Sequence, residues 1–213
     1  KVKKNVSLPV SGNKSLSFDT IEIISRTNKK KINIRSIKSL PLKIKKKVLI
    51  DIDNISKAKK IPKLKFNNLP ILMGVLNLTP DSFSDGGKFN SKTKGIKQAL
   101  KMFTFGADII DVGGESTRPG SKRISVKEEW NRINKTLKSI SKKIPISLDT
   151  RKSEIMQKGI KLGVKIINDV SGLNFDSETK NILKKHKIPF VIQHSKGDPE
   201  NMQNNPNYKN ELL

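Results

Sequence analysis

Side chains able to bind or to catalyse recur along this sequence at regular intervals, each time at the end of a short apolar run. Asn77 ends ILMGVLN (71–77) with Thr79 just after it, and Glu115 and Ser116 end DIIDVGGES (108–116) with Thr117 next. Asp149 closes PISLDT (145–150), Asn168 and Asp169 stand in IINDVSG (166–172), and Gln193 and His194 in PFVIQHS (189–195). The hydroxyls, the guanidinium and the Pro-Gly turn of GGESTRPGS (113–121) suit the gripping of an anion and a closing loop. NLTPDSFSDGG (77–87) is a second loop of this kind: Pro80 ends the strand, and Asp-Gly-Gly admits unusual backbone angles, so the segment can fold over a site and move. Either loop alone reads as ordinary Pro, Asp, Ser and Gly connections. Together, at the ends of consecutive apolar runs, they point to one site.

From residue 71 the chain repeats apolar run, polar loop and amphipathic helix, the pattern of parallel βα units and of an α/β fold. The first helix carries Ile96, Ala99, Leu100 and Phe103 on one stripe and stops at Gly106. The second opens with a capping box of Ser125 and Glu128 and spaces Trp130, Ile133, Leu137 and Ile140 by three and four. A third turns Ile155, Met156 and Ile160 toward the sheet and stops at Gly163, and a fourth runs near 177–186. The five runs are short, continuous and rich in Val, Ile and Leu, as strands covered on both faces require. Polar residues at the C-terminal end of each strand favour a TIM-type (β/α)8 barrel, where all those ends open on one mouth. An open doubly wound sheet is the alternative, but neither GxGxxG nor GxxxxGK[ST] occurs. A barrel needs about 250 residues, so a partial barrel of about five of the eight βα units is expected over 70–213, in a chain cut at its C-terminus. The lack of an initial Met and the ending NNPNYKNELL, where a helix begins, fit that expectation.

Residues 1–69 form an extension of less legible structure. FDTIEIIS (18–25) and KVLIDI (47–52) look like strands of a hairpin layer, and Lys clusters such as KIKKK look like solvated loops. Asp51 and Asp53 form either a metal pair or, as alternate carboxylates among lysines usually do, an exposed strand face.

The net charge of +25 raises the question of nucleic acid. Residues 1–70 hold 19 Lys and Arg against 4 Asp and Glu, and 71–213 hold 25 against 15, so the surplus is spread throughout. It is mostly lysine, not the bidentate arginine of phosphate-reading faces, and aromatic residues make up only 5%. No nucleic-acid or membrane partner is expected: no apolar run reaches the ~18 residues that span a bilayer, and the first residues lack a signal-peptide core. Without cysteine there is no disulfide framework, and a soluble, cytoplasmic protein is the expectation.

MGVLNLTPDSFSDGG, IIDVGGESTRPGS, ISLDT, IINDVSG and FVIQHSKGDPENMQ resemble, in order and spacing, the successive strand and loop motifs of the dihydropteroate synthase family, over roughly residues 70–208. That resemblance implies the condensation of 6-hydroxymethyl-7,8-dihydropterin diphosphate with p-aminobenzoate, releasing diphosphate. It assigns Asp149 and Asn168 to the pterin, types that suit an aminopyrimidinone edge. Local sequence leaves Asp149 a second role, as N-cap of the helix that follows in RKSE. The resemblance also assigns Asn77 to Mg²⁺ and diphosphate, and Thr117 to the diphosphate and p-aminobenzoate. It gives Phe83 and Pro119 to the wall of the p-aminobenzoate and sulfonamide pocket, with Arg118 in the same closing loop. Asn77, Thr117 and Arg118 are the catalytic candidates, acting on the leaving group by charge stabilisation. His194 receives no chemical role, and Asp111 and Glu115 are read as hydrogen-bond network members. A homodimer is a family expectation.

The family's later motifs have no counterpart here: a second pterin-binding Asp, a Ser-Arg-Lys and an Arg-x-His. This chain alone is therefore expected to show no turnover. Two further readings compete. A folate-dependent methyltransferase would share the pocket residues but has no use for both complete loops. A non-catalytic barrel relative or basic binding module would not need Asn77, Thr117, Arg118 and Asp149.

Overall fold

The computed structural model describes residues 6–58, 64, 70–79, 91–118 and 120–193. The described residues up to Ala58 form one compact unit and those from Leu64 onward another.

The N-terminal unit opens with two antiparallel hairpins, β1 (Leu8–Val10) with β2 (Asn13–Phe18), then β3 (Thr20–Ile24) with β4 (Lys29–Asn33). A 3-10 turn (Ile34–Ser39) and helix α1 (Leu42–Ser56) follow. The strand expected in FDTIEIIS is β3, but KVLIDI lies inside α1. Val48 and Ile52, one helical turn apart, bury against Ile37 and the inward residues of the hairpins, so the 3.6-residue period overrides the apolar run. KIKKK, taken for a solvated loop, starts that helix, and Lys29–Lys31 pair with β3. Asp53 pairs with Lys57 one turn on. Among the described residues no cluster of His, Cys, Asp or Glu could hold a metal ion.

The second unit is a five-stranded parallel sheet: β5 (Met73–Asn77), β6 (Ile109–Gly113), β7 (Ile146–Asp149), β8 (Ile166–Asp169) and β9 (Phe190–Ile192), hydrogen-bonded in sequence order. Helices α2 (Ser91–Thr104), α3 (Val126–Ile140), α4 (Ser153–Lys161) and α5 (Thr179–His186) alternate with them. Unbroken sequential order is what a stretch of TIM-type barrel wall shows, whereas a doubly wound sheet reverses at a switch point.

Alternate strand residues face the helices: Leu76, Ile110, Val112, Ile146, Leu148 and Ile167 meet Ile133, Leu137, Ile140, Ile155 and Met156 in one core. Each such burial is worth about 1.5–3 kcal/mol. Ser125 caps α3 by accepting from the Glu128 N–H at 3.1 Å. On α2 the expected stripe is shifted. Ala99 is buried and Ile96 and Met102 pack on the core, but Leu100 and Phe103 are exposed. Gly95 lets the helix approach closely, since a Cβ there would stand 2.7 Å from Leu78 Cδ2, and that contact rotates the inward face. On the other face of the sheet the edge strands expose Met73 and Val75 of β5 and Val191 of β9, while Asp111 and Ser147 of the inner strands are buried. No described helix is long and apolar enough to cross a membrane.

Candidate functional site

Strand register decides which residues meet. Asn77 pairs with Gly113, Gly113 with Asp149, and Asp149 with Asn168, so the last residues of β5, β6 and β7 and the next-to-last of β8 form one row. Paired residues of a parallel sheet point to the same face, here the one away from the helices. Three of the predicted site residues thus come together from positions up to 91 residues apart in sequence. Gly113 makes this possible. A Cβ there would stand 3.2 Å from Asp149 Oδ2 and 3.5 Å from Asn77 Oδ1, so the two side chains flank a bare Cα. The next glycine serves the opposite face: a Cβ on Gly114 would stand 2.8 Å from Ile133 Cγ2 and 3.0 Å from the Glu129 carbonyl oxygen.

Asp149 is not a helix cap. The residue preceding α4 is Lys152, and the Ser153 N–H donates instead to Asp176 Oδ2 at 2.9 Å. Burial, and then the carboxylates of Asp111, Glu129, Asp169 and Glu115, push the Asp149 carboxyl up to about 8. It is a protonated acid at neutral pH, held among acceptors and poised for a ligand that brings N–H donors. Beside it, Asn168 Nδ2 donates to Asp111 Oδ2 at 3.1 Å. Asp169 points the other way and ties down the turn after β8, accepting from the Ser171 N–H at 2.8 Å and the Leu173 N–H at 3.1 Å.

Thr117, half-buried, and Arg118, exposed, lie in the loop after β6. That loop is braced where Ser121 Oγ donates to the Ser116 carbonyl at 2.6 Å and the Ser121 N–H to the Arg118 carbonyl at 3.1 Å. Phe83, Pro119 and His194 lie outside the described residues, as does most of NLTPDSFSDGG.

Sequence reasoning missed a buried ion network behind the row. Lys152 Nζ bonds Glu129 Oε2 at 2.5 Å and Glu115 Oε2 at 3.0 Å, and Arg151 Nε bonds Glu115 Oε2 at 3.1 Å. Thr150 Oγ1 adds a bond to Glu129 Oε1 at 2.6 Å, and the Arg151 guanidinium stacks 4.2 Å over the Phe175 ring. One signal was available: Glu129 stands four residues before Ile133, on the buried stripe of α3. The network locks the loops after β6 and β7 to α3, and so fixes where Thr117 and Asp149 begin. Glu115 is raised by burial but lowered more by Arg151, the Ile124 N–H and Lys152, and ends below the ordinary carboxylate range.

A parallel sheet in sequential order with a polar row at its C-terminal mouth is the arrangement in which α/β barrel proteins bind small ligands. The family described as pterin binding enzyme matches residues 73–213, and the chain belongs to that family. Among curated relatives, the dihydropteroate synthase of Synechocystis is 44% identical over 139 residues, covering 64% of this chain and 48% of that one. The chain thus spans about half the length of the curated synthases it matches. The Xanthomonas albilineans dihydropteroate synthase solved with 4-aminobenzoic acid superposes with a TM-score of 0.59 at 34% identity, covering 66% of this chain and 50% of that one. The Anaplasma phagocytophilum synthase solved with 6-hydroxymethylpterin-monophosphate gives a TM-score of 0.54 at 39% identity, covering 60% and 49%.

Proposed function

We propose that the protein to which this chain belongs is a dihydropteroate synthase, joining 6-hydroxymethyl-7,8-dihydropterin diphosphate to p-aminobenzoate. The observation that carries this is the row of Asn77, Asp149 and Asn168 over Gly113 at the sheet's C-terminal mouth, in a pterin-binding family member. Asp149 and Asn168 read the aminopyrimidinone edge of the pterin. When the ligand's N–H groups reach Asp149 they stabilise its ionised form, converting a costly buried acid into a hydrogen-bonded carboxylate. The methylene carbon is held toward the mouth, where the amine of p-aminobenzoate forms the new C–N bond as the C–O bond to diphosphate breaks. The electron pair leaves with diphosphate and the amine loses a proton. Charge stabilisation at the leaving group is the main requirement.

Asn77 fits a magnesium ion of the kind that keeps most of its waters. Its Oδ1 stands at the mouth beside the bare Cα of Gly113, one neutral oxygen for an ion otherwise held by diphosphate and water. Such an ion supplies positive charge to the departing diphosphate. By the family resemblance, Thr117 serves the diphosphate and p-aminobenzoate, and Phe83, Arg118 and Pro119 serve p-aminobenzoate. The working protein is a homodimer, as the resemblance implies, and from its composition it is cytoplasmic and binds neither membrane nor nucleic acid.

The test is an assay of the protein expressed from its complete coding region. Dihydropteroate should form from the two substrates, and Asp149→Ala should abolish it. No product from a folded protein, or full activity in the variant, would overturn the proposal.

A further inference from the structure

Asp111 lies one layer beneath the row, two residues before Gly113 on the same face of β6 and paired with Ser147 of β7. It is 5% exposed, and only one of its oxygens is used, Oδ2 accepting from Asn168 Nδ2 at 3.1 Å. Among the described residues, Asp111 Oδ1 is buried without a hydrogen-bond partner, and so is the Oγ of Ser147. A buried carboxylate with an unsatisfied oxygen costs stability, and a residue kept at such cost points to function.

We infer that Asp111 is a positioning residue that sets the orientation of the Asn168 carboxamide and thereby the donor–acceptor code of the pocket. A carboxylate only accepts, and an amide oxygen cannot donate to it, so only the Nδ2 end of Asn168 can face Asp111. Because Asp111 sits below the row, the amide nitrogen is turned down and its oxygen toward the mouth. Asn168 then presents an acceptor, next to the carboxylate of Asp149. Two adjacent acceptors select a ligand edge that offers adjacent N–H donors. A ring presenting an acceptor to Asn168 meets a lone pair there and is disfavoured. Without Asp111 the carboxamide is free to turn over, and half of the discrimination is lost. This inference rests on the pterin-binding reading above.

A swap tests it in the protein expressed from its complete coding region, with binding of 6-hydroxymethylpterin measured by calorimetry and folding by thermal melting. Asp111→Asn supplies a donor below the row and lets Asn168 turn over. Affinity should fall roughly tenfold or more, the loss of one charge-assisted hydrogen bond. Asn168→Asp sets two carboxylates against each other and should weaken binding similarly. The double variant restores a donor and an acceptor in exchanged places, with an oxygen again toward the mouth, and should recover to within about threefold of the parent. A merely structural role for Asp111 predicts no such recovery. In turnover, Asp111→Asn should raise KM for the pterin diphosphate and leave KM for p-aminobenzoate unchanged.

Unchanged pterin affinity in a folded Asp111→Asn protein overturns the inference, as does a folded double variant no better than the weaker single one. Should Asp111→Asn alone not fold, Asn168→Asp against the double variant decides in the same way. A parent protein that binds no pterin overturns the functional reading itself, whereas a binding parent with indifferent variants overturns only the role of Asp111.

Discussion

The strand-end row and the ion network behind it use the same two loops, yet they hold their carboxylates in opposite states. Glu115 and Glu129 are buried and face Arg151 and Lys152 at hydrogen-bond distance. Asp149, partly buried, stands among other carboxylates and is pushed up to about 8. Burial penalises charge in both places, so burial alone does not separate them; the partners do. In the network, two cations balance two anions and the result is a fixed scaffold. At the row, among the described residues, the charges acting on Asp149 are other carboxylates, and in the proposed reading a ligand that brings donors would stabilise its ionised form. Bracing thus falls to α3 and the loops after β6 and β7, and the proposed recognition to the strand ends beside them.

The sharpest way to break this contrast is to unbalance the network. Lys152→Met leaves Glu129 buried and uncompensated, and should cost about 3–5 kcal/mol in denaturant unfolding. A loss below about 1 kcal/mol would mean that the loops are held by something else.

Asp149→Asn should do the reverse. Pterin affinity should fall roughly 10- to 100-fold, the worth of a hydrogen bond to a charged group, while the free protein gains stability. The gain depends on pH. Below about pH 4 the carboxyl is protonated whether folded or unfolded. Between there and about 8 only the unfolded chain ionises, which draws the equilibrium toward unfolding. The variant escapes this cost, so its advantage should grow from pH 4 to 8 and then level off. An advantage that shrinks as pH rises would contradict the assignment.

The paired glycines sharpen the same contrast. Gly114→Ala, with a Cβ 2.8 Å from Ile133 Cγ2, should cost about 1–3 kcal/mol of stability. Gly113→Ala, with its nearest contact 3.2 Å away on Asp149 Oδ2, should leave melting nearly unchanged while weakening pterin binding. The smallest effect belongs to the half-exposed Glu128–Arg132 pair: Glu128→Ala should change unfolding by no more than about 1 kcal/mol.

These layers were unequally visible in the sequence. Five apolar runs ending in polar residues were enough to bring Asn77, Asp149 and Asn168 to one mouth, because parallel strands in sequential order align their ends. The Ser125 cap and the Ile133, Leu137 and Ile140 stripe were equally plain, being local signals. The ion network was not visible, since Glu129, Arg151 and Lys152 are of types that are ordinarily solvated, and their pairing depends on tertiary approach across α3 and the β7 loop. α1 was misread because a run such as KVLIDI satisfies strand and helix patterns alike, and only the small core formed by Val48, Ile52 and Ile37 decides between them.

The central claim is that Asp149 is an uncompensated acid that a pterin converts to a carboxylate. Carbon-13 NMR titration of the Asp149 carboxyl, in the protein from the complete coding region, measures this directly. The free protein should titrate near 8, and saturation with 6-hydroxymethylpterin should move the midpoint well below that value. A midpoint in the ordinary carboxylate range without ligand, or one that pterin leaves in place, would contradict it.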